Sequence, residues 1–243
     1  MNLTLFHFYS DQLNLYGDRG NVIALKKRAE WRGITLDVVD VKAASAVDLT
    51  KADVLLIGGG PDRLQALCTD DLRGIKGEFK QAIDDGVSAL TIGGGYQLLG
   101  EYYELPDGKK LQGLGVLDFY THSPSSGPRE RLIGNILLES PRFGRIAGFE
   151  NHGGRTYHDY ETLGDVVAGH GNNGKDKKEG LLYNNLIGTY LHGPVLPKNP
   201  ALTDFLLEAA WKRKTGNPLP PYEQNELENA ANRHLWDVHE KKV

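Results

Sequence analysis

Twice in this 243-residue chain a short apolar run passes straight into three consecutive glycines, at 53–60 (DVLLIGGG) and at 89–95 (ALTIGGG). Four largely apolar residues bounded in this way read as a strand buried on both faces, and such strands belong to parallel sheets covered by helices. Glycine accepts backbone angles that a side chain forbids, so each triplet marks a sharp turn at the strand's carboxyl end. In open parallel sheets that end is where binding sites are built.

The flanking pattern agrees. Residues 3–8 read as a first strand and 9–20 as a polar loop. A helix is expected over 21–32, with Val22, Ile23, Leu25 and Ala29 at helical spacing and Gly33 as its stop. Residues 35–41 read as a second strand, Pro61-Asp62-Arg63 as a helix start, and 80–86 as the end of the helix that leads to the strand at 89. The order β-α-β-β-α-β-α predicts an α/β fold with a mostly parallel central sheet flanked by helices on both faces.

After Gly113 the pattern changes to short strands, expected at 115–120, 132–139, 145–150, 166–169 and 186–191. Loops rich in Gly, Asn, Ser and Pro lie between them, such as 121–128 and an exposed one at 169–178. Residues 201–214 form the clearest helix of the second half, with Leu202, Phe205, Leu206, Ala209 and Ala210 on one face. The reading is one domain over 1–215 and a polar, helix-prone tail over 216–243, which could dock on the body or on a partner.

A net charge of −4 with interleaved signs gives no basic footprint for nucleic acid. No apolar run approaches the length of a membrane span, and the start of the chain lacks a leader pattern. A single cysteine, Cys68, leaves no internal disulfide and no cysteine metal cluster. A cytoplasmic location is the expectation. Neither triplet continues into a P-loop or a full dinucleotide fingerprint.

Strand, tight turn and helix over 89–99, with the first helical turn expected at 96–99, is the geometry of a nucleophile elbow, whose apex residue projects its reactive atom above the sheet. The apex is Gly93, which carries no nucleophile. Residues 93–100 (GGGYQLLG) nevertheless resemble the nucleophile motif of class I glutamine amidotransferases, G-I-C-x-G-x-Q, and most closely the C-G-G-Y-Q of the cobyric-acid-synthase-like (CobB/CobQ-like) branch. Gly93 falls at the cysteine's position. About a hundred residues on, TYLHG at 189–193 is similar to the segment that holds this branch's general base, which makes His192 the base.

The resemblance implies hydrolysis of the glutamine amide through a cysteine thioester, with a histidine moving the thiol proton and backbone donors holding the oxyanion. It implies Gly59 or Gly60, together with Gly94, as those donors. Arg131 would hold the α-carboxylate as a bidentate fork, with Gln97 and Asn151 as further substrate contacts. Most class I members follow the base with H-P-E, whereas Gly193 and Pro194 follow His192 here. The base then works in a dyad or takes a carboxylate from a partner chain.

Segment 149–157 (FENHGGRTY), with 16–21, 113–119 and 191–198, looks like the stand-alone glutaminase subunits of lipid II isoglutaminyl synthases. This implies ammonia supply to a Mur-ligase-like partner of the MurT type, which amidates D-glutamate of lipid II to D-isoglutamine in cell-wall synthesis. ATP and Mg²⁺ would belong to that partner, with no cofactor and no metal in this chain. Three alternatives stay open: a glutaminase module for cobyrinic-acid-type amidation, a non-catalytic glutamine-binding subunit, and a metal site from His152, His158, Glu150 and Asp159. Cys68, in a helical stretch, reads as a small buried residue rather than a substitute nucleophile. Gly93 itself is either a deliberate Cys→Gly change or a natural one.

Overall fold

The structure, a computed structural model, describes residues 2–15, 17–124 and 130–241. Tyr16 of the 16–21 motif, Arg129, and the second half of the loop expected at 121–128 (125–128) lie outside them.

The first half builds the parallel sheet that the apolar runs predict. β1 (Asn2–Phe8) leads to α1 (Arg19–Glu30) and β2 (Thr35–Val41). β3 (Val54–Ile57) is followed by α2 (Asp62–Leu72) and α3 (Lys76–Asp84), then by β4 (Ser88–Ile92) and the single turn α4 (Gly94–Gln97). That helix is one turn, starting at Gly94 rather than at Tyr96, because Leu98 to Gly100 accept the N–H groups of 114–117 and turn the chain aside.

Three small strands follow: β5 (Tyr102–Glu104), β6 (Lys110–Gln112) and β7 (Tyr120–His122). Then come the long hairpin β8 (Leu132–Ser140) and β9 (Gly144–His152), and β10 (Arg155–Tyr157). The series ends with β11 (Gly164–Ala168), β12 (Lys178–Glu179), β13 (Leu181–Tyr183), β14 (Leu186–Thr189) and β15 (Leu191–His192). The helices α5 (Pro200–Thr215) and α6 (Glu226–Glu240) close the chain.

Six strands in the order β13-β14-β4-β3-β1-β2 form the central sheet, parallel except for the β13–β14 pair. Alternate residues serve its two faces, as period two requires. Phe6, Phe8, Leu55 and Ile57 join Leu72 and Phe79 of α2 and α3 on one side. Leu3, Leu5, Val54, Leu56 and Leu90 join Leu25 of α1 and Leu206 of α5 on the other. The remaining strands form sheets of four (β10-β7-β5-β6) and five (β12-β11-β8-β9-β15).

Three expectations for the second half are corrected. Residues 115–119 form a loop, not a strand: Val116 and Leu117 are both buried, and both give their N–H groups to Leu99 O. The loop at 169–178 is exposed only in part, because the buried Glu150 carboxylate accepts from His170 N (2.7 Å) and Gly171 N (3.0 Å), and Asn172 and Asn173 are buried. The strand expected over 186–191 breaks at Tyr190, where the chain leaves the central sheet at β14 and joins β9 as β15.

The tail folds back on the body. Trp236 of α6 is 3% exposed beside Leu137 and Ala147, and Asn232 donates to Arg145 O and Lys198 O. Arg28 of α1 ties Asp204 of α5 (2.6 Å) to Glu228 of α6 (3.2 Å). Among the described residues no helix is long and apolar enough to cross a membrane.

The break at Tyr190 rests on a buried acid. Glu179 of β12 is fully buried and accepts from Tyr190 N (2.7 Å) and Thr189 Oγ1 (3.1 Å), replacing the ladder partner that Tyr190 loses. Burial pushes its carboxyl up to about 8, against the pull of those hydrogen bonds. A group raised in the folded state stabilises fully below its unfolded value and loses that contribution as pH rises through the folded one. The unfolding temperature should therefore fall from about pH 5 to pH 8.5 more steeply than in Glu179→Gln, which cannot ionise. Parallel curves for the two proteins would show that Glu179 titrates normally.

Candidate active site

The elbow and the base meet because two strands end side by side. β14 pairs in parallel with β4, Thr189 opposite Ile92, and Gly93 N donates to Thr189 O (2.9 Å). Three residues past Thr189, His192 stands at the end of β15, fixed to β9 opposite Phe149. Gly93 has φ +54° and ψ −112°, which L-residues rarely adopt. A Cβ built on it would lie 2.8 Å from His192 Cε1 and 3.4 Å from Nε2.

All eight residues that the sequence nominates line one cavity of about 390 Å³: Gly59, Gly60, Gly93, Gly94, Gln97, Arg131, Asn151 and His192. That volume suits a small ligand. Arg131, at the exposed rim just before β8, is braced by Asn151: its Nε donates to Asn151 Oδ1 and its Nη2 to Asn151 O, both at 2.8 Å. Asn151 thus holds the guanidinium as well as facing the cavity. Gln97 is buried at the end of α4, and its Nε2 donates to Tyr190 Oη (3.0 Å), which leaves its carbonyl as the acceptor.

The two candidate donors at the first triplet are unequal. Gly59 N–H is already given to Asp18 Oδ2 at 2.7 Å, so of that pair only Gly60 stays available. Gly60 N lies 3.5 Å from the point where a Cβ on Gly94 would sit, beside the elbow.

His192 is 2% exposed. Burial, with smaller contributions from His152 and Arg131, lowers its pKa to about 3, so the ring is neutral at pH 7 and able to accept a proton.

His152 is a cavity wall that reasoning from the sequence did not place there. Its ring lies 3.7 Å from that of Tyr190 at an interplanar angle of 4°, Nδ1 bonds Gly154 O (2.8 Å), and Nε2 is 3.7 Å from Glu150 Oε2. The polar density of segment 149–157 was the available signal. His158 points elsewhere, toward Gly180 O and Phe119, so the two histidines weighed together as metal ligands are held apart. Among the described residues no group of three His, Cys, Asp or Glu side chains could hold a metal ion. Cys68 lies on α2, outside the cavity lining, and burial followed by the Asp71 charge pushes its thiol up to about 11, the opposite of an activated nucleophile.

Comparison with known proteins places the chain in a family. Residues 4–200 match the CobB/CobQ-like glutamine amidotransferase domain. The chain is 55% identical over 236 residues to the lipid II isoglutaminyl synthase (glutamine-hydrolyzing) subunit GatD of Staphylococcus aureus strain N315, covering 97% of this chain and 95% of that one. It is 40% identical to the GatD of Streptococcus pneumoniae strain ATCC BAA-255 / R6, covering 91% and 86%. A crystal structure of a glutamine amidotransferase shares the fold, with a TM-score of 0.58 at 18% identity over 84% of this chain and 98% of the other.

Proposed function

This chain belongs to the CobB/CobQ-like glutamine amidotransferase family, and we propose that its cavity is the glutaminase site of a lipid II isoglutaminyl synthase. The parent reaction is hydrolysis of L-glutamine to L-glutamate and ammonia. The ammonia goes to a Mur-ligase-like synthetase subunit, which uses ATP and Mg²⁺ to amidate D-glutamate in the lipid II stem peptide. Gly93 stands in place of the family's cysteine, and the chain as written binds glutamine without cleaving it.

The observation that carries this reading is the meeting of elbow and base. A side chain on Gly93 would start 3.4 Å from His192 Nε2, with Arg131 and Gln97 on the same cavity. In the parent, the neutral imidazole takes the thiol proton and the thiolate attacks the amide carbon. The amide π pair moves to oxygen under the Gly60 and Gly94 N–H groups. Collapse expels ammonia with the proton from His192 and leaves a thioester, which water hydrolyses with the same histidine as base. The base acts in a dyad or takes its orienting carboxylate from the synthetase. Retention of His192, Arg131 and Gln97 around Gly93 favours a single replacement in a working site over a long-abandoned one.

Without a nucleophile, binding can be read at equilibrium. Saturating L-glutamine should raise the unfolding temperature by a few degrees, since ligand at about 100 times Kd contributes about 2.7 kcal/mol. D-glutamine, which cannot reach Arg131 and Gln97 together, should give no shift. Equal shifts for both enantiomers, or none for either, would remove glutamine as the ligand.

A further inference from the structure

The buried acid Asp18 has no part in the chemistry above, and its surroundings are unusual. It sits at the N-terminal boundary of α1, where an aspartate ordinarily caps the helix, yet its side chain makes no capping hydrogen bond. It is fully buried; Oδ2 accepts Gly59 N–H at 2.7 Å, and Oδ1 has no hydrogen-bond partner among the described residues. Burying a carboxylate on so few hydrogen bonds is costly, and burial raises its pKa to about 6.

What Asp18 does is complete a clamp. Gly58 O accepts from Gly95 N (3.1 Å) on the elbow, Gly59 N donates to Asp18, and Gly59 O accepts from Leu15 N (3.0 Å). In a trans peptide the C=O and N–H point in opposite directions. With Gly59 O turned to Leu15, the N–H of Gly60 must point away from Leu15, and Gly60 N lies 3.5 Å from where a Cβ on Gly94 would sit. The loop lies directly on the triplet: a Cβ on Gly58 would be 2.1 Å from Leu13 O and 2.9 Å from Asp18 Oδ2.

We propose that Asp18 is a positioning residue for acyl transfer: by holding Gly59 N–H it fixes the Gly58–Gly59 peptide, while Leu15 holds the C=O of the next one, and the two together set the turn at Gly59 that aims the Gly60 N–H at the developing oxyanion. The proposal rests on the glutaminase reading. It assigns to Leu15 and Asp18 a role in the rate of the reaction that leaves binding of glutamine untouched.

The test uses the full chain carrying Gly93→Cys, together with the synthetase subunit, and measures steady-state ammonia release. Asp18→Ala should lower kcat on the order of 10- to 100-fold, the range for a weakened oxyanion donor, with KM changed less than about threefold. Asp18→Asn keeps an oxygen acceptor for Gly59 N–H and should recover most of the loss. In the Gly93 background, Asp18→Ala should bind L-glutamine with unchanged Kd by calorimetry. If Asp18→Ala does not fold, Leu15→Pro, which removes the other N–H of the clamp, should show the same loss of kcat at constant KM.

An unchanged kcat, equal losses for alanine and asparagine, or a matching loss of glutamine affinity would overturn the proposal and leave Asp18 as packing. Silence of the Gly93→Cys chain with Asp18 intact would instead overturn the glutaminase reading, and the proposal with it.

Discussion

Gly93→Cys is expected to raise L-glutamine hydrolysis by about 10⁴-fold or more over the unaltered chain, because losing the nucleophile of an acyl-transfer site ordinarily costs this much or more. The same substitution should lower stability. Residue 93 sits at φ +54°, and a Cβ there would approach His192 Cε1 to 2.8 Å, closer than carbon atoms pack, so the ring must shift. Holding an L-residue in such a region costs on the order of 1–3 kcal/mol. For a chain of this size that is a fall of several degrees in unfolding temperature. Glycine at the apex is thus the more stable and less active choice. Activity without loss of stability would mean that the backbone at 93 relaxes and that the elbow stores no strain.

Arg131→Ala carries the second large effect, read as the Kd for L-glutamine in the Gly93 chain by calorimetry. The guanidinium is held by Asn151 through Nε and Nη2, so its remaining N–H groups are the free face of a preset fork. Hydrogen bonds between charged partners contribute about 1.5–3 kcal/mol, so affinity should fall by on the order of 10- to 100-fold. Arg131→Lys should recover little, since an ammonium cannot reproduce the fork. Wild-type affinity in Arg131→Ala would place the α-carboxylate elsewhere in the cavity.

The parts legible in the sequence are those that local pattern dictates. Apolar tetrads ending in glycine gave β3 and β4 with their turns. The combination of elbow and TYLHG nominated the residues that the fold brings to one cavity. The misread parts depend on distant partners. Leu114, Val116, Leu117 and Phe119 are as apolar as a strand, yet the first three give their N–H groups to Leu98 O and Leu99 O and Phe119 O accepts from Glu101 N, and no alternation betrays it. Residues 169–173 look like a polar loop until Glu150, some twenty positions earlier, is seen to bind the N–H groups of His170 and Gly171. The same limit hid Asp18: it is 41 residues from Gly59 in the chain and 2.7 Å from it in the fold.

The measurement that bears most directly on the central claim is ammonia release from L-glutamine by the Gly93→Cys chain with its synthetase subunit, beside the unaltered chain and Gly93→Cys/His192→Ala. The account predicts release from the first alone, with a γ-glutamyl thioester on residue 93 trapped by rapid acid quench. Silence of the Gly93→Cys chain, or release that persists without His192, would contradict it and leave a glutamine-binding subunit as the better description.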